Sequence, residues 1–136
     1  MHATGTFAVE AFDPIALDSD EFPQTATPVA VAIMHKRFSG EVSGMAATLF
    51  TYALDSEGEK GGYVAMEAFR GSLHERSGAF NFMHSATTSG SDRADESLVI
   101  VPSSGTGALA GIVGTGGITV DADGTHQIWF EYGLPS

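Results

Sequence analysis

Apolar and polar residues alternate along most of this chain. In GAFNFMHSAT, residues 78–87, Phe80, Phe82 and His84 fall on one face while Asn81 and Ser85 fall on the other. Near the end, His126, Ile128, Phe130 and Tyr132 oppose Gln127, Trp129 and Glu131. A period of two sends successive side chains to opposite faces of a strand. Comparable stretches occupy 5–12, 27–38, 44–54, 62–73, 96–102 and 116–121, which predicts about eight strands in all. The intervening segments 39–44, 55–62, 74–78, 88–96 and 121–124 have turn compositions and are too short for crossover helices. Neighbouring strands are therefore expected to pair antiparallel.

A row of eight antiparallel strands has exposed edges unless it closes, and glycine is the usual residue where strands bend at a barrel corner. The expected fold is all-β, one closed antiparallel β-barrel of about eight strands spanning 1–136 as a single domain. Residues 103–117, SSGTGALAGIVGTGG, then read as a glycine-rich corner built on Gly105, Gly107, Gly111, Gly114, Gly116 and Gly117. Gly105 to Ala110 also matches the G-x-G-x-x-G/A fingerprint of dinucleotide binding, which needs a helix to follow and receive the pyrophosphate. Four glycines occupy that place here, each costing about 1 kcal/mol in a helix, so no nucleotide cofactor is expected. The segment from Asp13 to Thr27, with Pro14 and Pro23, is read as an irregular surface connection.

Composition narrows the function. Seventeen acidic residues against six basic ones give a formal charge of −11, a field that repels nucleic acid and anionic membrane. With no cysteine there is no disulfide, thiolate metal site or cysteine nucleophile. His2, His35, His74, His84 and His126 are scattered without a local ligand pair, so no metal site is expected. Ser103 and Ser104 lie beside glycines but form no G-x-S-x-G elbow. No apolar run of about 18 residues and no signal-like start are present, and the expected location is cytoplasmic.

Several stretches together resemble the bacterial domain-of-unknown-function family 3224: MHATGTF, FSGEVSG, YVAMEAFRGSLHERSGAF, MHSATTSG, VPSSGTGALAGIVGTGG and HQIWFEYGL. The most specific part is the ordered set Glu67, Gly71, Arg76, Gly78, Phe80 and His84, followed by Ser104 to Gly107. The resemblance covers almost the whole chain and implies an allene oxide cyclase-like barrel around an interior cavity, with no assigned activity. The chain departs from the family where His74-Glu75 stands in place of a glycine-rich turn.

Alternation nominates Phe50, Tyr52, Tyr63, Glu67, Phe69, Phe80, Phe82, His84, Phe130 and Tyr132 as inward residues. This aromatic set suits either a packed core or a cavity for a small, largely apolar ligand. The candidate ligand-binding residues are Tyr52, Tyr63, Glu67, Phe80, Phe82, His84, Phe130 and Tyr132. Glu67 lies in YVAMEAF, where either face is apolar, and so requires a partner. His84, Arg70 and Arg76 are the candidates. A Glu67–His84 pair in an apolar cavity would serve as general acid and base, or as a polar pair fixing strand register. The expected function is binding of a small, largely apolar molecule in the barrel interior. The alternatives are an isomerase or cyclase resembling allene oxide cyclase, and a structural protein with a filled barrel. Apolar residues on both faces, as in Leu98 to Val101, predict a homo-oligomer or cover by the 13–27 segment.

Overall fold

The computed structural model describes residues 1–18, 20–57, 60–90 and 92–136. Eight strands follow in chain order: β1 (His2–Ile15), β2 (Val29–Gly40), β3 (Val42–Leu54), β4 (Lys60–Leu73), β5 (Arg76–Ser89), β6 (Asp92–Ile100), β7 (Val113–Val120) and β8 (His126–Gly133). Each pairs antiparallel with its neighbour, and β8 returns to β1, closing the ring. Among the described residues, the only helix is a single 3₁₀ turn at Gly107–Leu109, and no helix is long and apolar enough to cross a membrane.

Inward positions follow the expected period. On β4 Ala65, Glu67 and Phe69 are buried, as are Phe80, Phe82, His84 and Ala86 on β5. Phe38, Phe69, Phe80, Phe82 and Phe130 form one core cluster with Ile128 and Leu98. Phe130 meets both Phe80 and Phe82 edge-on, the latter at 5.2 Å, an arrangement favoured by the ring quadrupoles. One end of the ring is plugged by Leu109 and Ile112, both fully buried, in the loop between β6 and β7. Toward the other end Phe50, Tyr52 and Tyr63 are only half-buried.

Several boundaries differ from the sequence reading. Strand β1 runs on to Ile15, because a register shift between Val9 and Ala11 carries the chain through Asp13 and Pro14 while still paired with β2. The irregular connection therefore begins at residue 16. It leaves Leu49, Met66 and Met83 on the barrel's outer face exposed rather than covered. Strand β6 begins at Asp92 rather than near Glu96, with a second irregularity opposite Ser85–Thr87 and Asp95 at φ 54°. Ser19, Gly58 and Glu59 of the 55–62 turn, and Ser91 of the 88–96 turn, lie outside the described residues.

The glycine-rich corner is real but works by two means. Gly107 adopts φ 61°, a conformation that glycine tolerates without strain. Gly105 does not have a positive φ. A Cβ there would lie 2.0 Å from the carbonyl oxygen of Leu109, so it is glycine because backbone passes against it.

The ring is uneven. Strands β1 to β5 have 12 to 14 residues, whereas β6, β7 and β8 have 8 or 9. Among the described residues, strands β6 and β7 are joined at a single pair, Val99 with Thr115. Beyond that pair the two strands part.

Candidate functional site

A hydrogen-bonded chain of side chains crosses the interior from β2 to β6. Glu67 of β4 is fully buried, and its Oε2 accepts from Lys36 Nζ at 2.7 Å and from His84 Nε2. His84 Nδ1 lies 2.9 Å from the Tyr63 hydroxyl, which is held in turn by Arg93 Nη2. Arg93 Nε pairs with Glu96 at 3.1 Å near the rim.

The donor inventory gives this chain a direction. Arginine only donates, so the Tyr63 oxygen accepts from Arg93 and turns its own proton toward His84 Nδ1. For a neutral imidazole that nitrogen accepts, which puts the ring proton on Nε2, facing the Glu67 carboxylate. The order is Arg93 to Tyr63 to His84 to Glu67, with Lys36 donating from the opposite side. Burial alone would raise the Glu67 pKa, but the His84 hydrogen bond and the Lys36 charge outweigh it and hold the carboxyl below its ordinary range. Glu67 is thus an ionised carboxylate in the core. Burial pushes the Tyr63 phenol above its ordinary range, against the opposing charge of Arg93, so it stays a proton donor. Two buried oxygens on facing positions of β3 and β4, Thr48 Oγ1 and Glu67 Oε1, have no hydrogen-bond partner among the described residues.

Where β6 and β7 part, a cavity of ≈ 300 Å³ opens onto this chain. Its apolar wall includes Leu98, Ile118 and Trp129, and its polar side presents Tyr63, His84, Arg93 and Glu96. Gly117 shapes it: a Cβ there would lie 2.7 Å from the Trp129 indole nitrogen, so the indole rests directly on the glycine backbone.

Of the sequence-nominated residues, Tyr63, Glu67 and His84 come together here. Phe82 stacks on the His84 ring and packs against Phe80 and Phe130, and all three phenylalanines are within the core cluster. Tyr132 is elsewhere: it bonds His74 Nδ1 at 2.7 Å, and that histidine's other nitrogen is 3.5 Å from Glu41 at the plugged end. Tyr52 stacks on Phe50 near the open end. Arg70 and Arg76 are not partners of Glu67, since they project from β4 and β5 to reach Met45 and Met1. Lys36 takes that role instead. Its signal was present in the sequence, because Lys36 is in phase with Ala32, Met34 and Phe38 on β2. Arg93 had none, lying in a segment whose composition reads as a turn.

Residues 3–132 match the family described as "Protein of unknown function (DUF3224)". The chain is similar to the crystal structure of a protein of unknown function from the DUF3224 family of Shewanella oneidensis MR-1. The two are 26% identical with a TM-score of 0.84, over 100% of this chain and 98% of the other. No curated protein matches the chain.

Proposed function

The chain belongs to the DUF3224 family, whose description assigns no activity, and we propose from the site that it binds a small, largely apolar molecule carrying one hydrogen-bonding group. The ligand is received between β6 and β7, its apolar body against Leu98, Ile118 and Trp129 and its polar group at Tyr63, His84 and Arg93. The observation that carries this reading is that one cavity combines an apolar wall with the exposed end of an oriented hydrogen-bond chain. The interior around Phe69, Phe80, Phe82 and Phe130 is occupied by the rings themselves, which moves the ligand to the side opening.

A second reading, an isomerase or cyclase on an allene oxide cyclase-like barrel, draws on the same chain. Tyr63 would lend its proton to a substrate oxygen, with Arg93 holding the phenolate, and recover it as product forms. The raised Tyr63 pKa opposes that loan and favours binding.

Trp129 is the single tryptophan and lies in the cavity wall, so its emission reports occupancy. Benzyl alcohol and a medium-chain alkanol are expected to bind saturably by calorimetry and to shift Trp129 emission. Gly117→Val, which pushes the indole across the cavity, should abolish both, and Tyr63→Phe should weaken binding about tenfold, the loss of one buried hydrogen bond. Absence of saturable binding, or calorimetric binding unchanged in Gly117→Val, would refute the proposal.

A further inference from the structure

The outer surface of the barrel carries an apolar belt that meets the ligand cavity only at one edge, where Ser85 and Ser97 line both. Strand register aligns Ile33, Leu49, Met66, Met83 and Val99 in one continuous row across β2 to β6. The row is acidic or polar at both ends, with Asp13 on β1 and then Thr115 and Glu131 on β7 and β8. A parallel row runs Val31, Thr51, Val64, Ser85 and Ser97, and a third on the other side runs His35, Ala47, Ala68 and Asn81. None of these positions is Asp, Glu, Lys or Arg. The large side chains stand in solvent: Leu49 is 49% exposed, Met66 46%, Met83 44% and Val64 57%. Between them lies a shallow apolar cleft of ≈ 290 Å³.

We infer that this belt is the face on which two copies of the chain associate. Exposed apolar area of this extent marks an interaction site, and charge selects the occupant. The chain carries −11, so nucleic acid and anionic membrane are repelled. A basic partner would find no carboxylate within the belt to pair with, and the next row outward carries Arg37 and Arg70, which would repel it. A second copy meets it apolar on apolar, and the uncharged belt is where two such acidic molecules can approach with least repulsion. Because five neighbouring strands of a closed eight-strand ring wrap about half its circumference, the contact centres on β3 to β5, where Leu49, Met66 and Met83 stand furthest toward a second copy. A two-fold arrangement places Met66 and Met83, at the centre of the row, near the symmetry axis. Methionine suits this position because its unbranched thioether adapts to an opposing copy of itself.

The test is the mass in solution at micromolar concentration by sedimentation velocity, for the wild type, Met83→Glu and Met83→Cys. The side chain at 83 is exposed, so each variant should keep the wild-type circular dichroism spectrum. The wild type is expected to be a dimer and Met83→Glu a monomer, with an association constant reduced at least a hundredfold. The chain has no cysteine, so Met83→Cys should give a single disulfide-linked dimer on mild oxidation. A monomeric wild type, a dimer that survives Met83→Glu, or failure of Met83→Cys to cross-link would each overturn the inference. Calorimetric titration of Met83→Glu with benzyl alcohol separates this face from the ligand cavity, because loss of the dimer should leave that binding in place.

Discussion

Lys36 and Glu67 show how much one buried charge can depend on another. Both side chains are removed from water, a cost of several kcal/mol per ion that only close pairing and further hydrogen bonds offset. Lys36 gains, besides the carboxylate, the face of Phe7 at 4.8 Å. Lys36→Met leaves Glu67 with His84 alone and should destabilise by about 2–4 kcal/mol, while Glu67→Gln should cost about 1–3 kcal/mol. Because each single change strands the same pair, Lys36→Met/Glu67→Gln should cost less than the sum. Urea denaturation of the four proteins measures the coupling, and strict additivity would mean that the two residues do not depend on each other.

Turns and strand ends are where the elements depart from local preference. The β4–β5 hairpin turns on two residues, His74 at φ 48° and Glu75 at φ 70°, both in the left-handed region that non-glycine residues seldom adopt. His74 is held there by Tyr132 and by its backbone bond to the Glu41 carbonyl, whereas Glu75 is exposed and has a side chain that the conformation merely tolerates. Glu75→Gly should therefore stabilise the protein by up to about 1 kcal/mol, read as a raised denaturation midpoint with unchanged m-value. Turn composition was a good guide to where hairpins reverse. It was a poor guide to where strands begin, because pairing with a long neighbour extended β1 through Pro14 and drew Asp92 and Arg93 into β6.

Acid brings opposing effects together in the whole molecule. Falling pH discharges the surface carboxylates and relieves the self-repulsion of a chain at −11, which stabilises the compact state. Glu67 works the other way. Its pKa in the folded protein lies below the unfolded value, so its contribution is complete above the ordinary carboxylate range and is lost as pH falls through that range toward the folded value. The stability difference between wild type and Glu67→Gln is expected to shrink as pH falls below about 4.3, the ordinary glutamate value. A difference that stays constant to the acid limit would show that Glu67 is not held ionised by its neighbours.

The eight-strand count, the antiparallel order and the inward faces were legible in the sequence, because a strand with one buried side must alternate and every inward residue from Ala65 to Phe69 or Phe80 to His84 obeys that rule. Glu67 stood out for the same reason, as a carboxylate with apolar residues on both sides. Of its partners, His84 was named from the alternation of the following strand, whereas Lys36, though in phase on β2, was not, because it reaches Glu67 from 31 residues away along the chain. The opening beside Tyr63 and Arg93 belongs to tertiary structure too. It exists because long and short strands were closed into one ring with a single pair joining β6 to β7, and no short stretch of sequence records how two distant strand ends fail to meet.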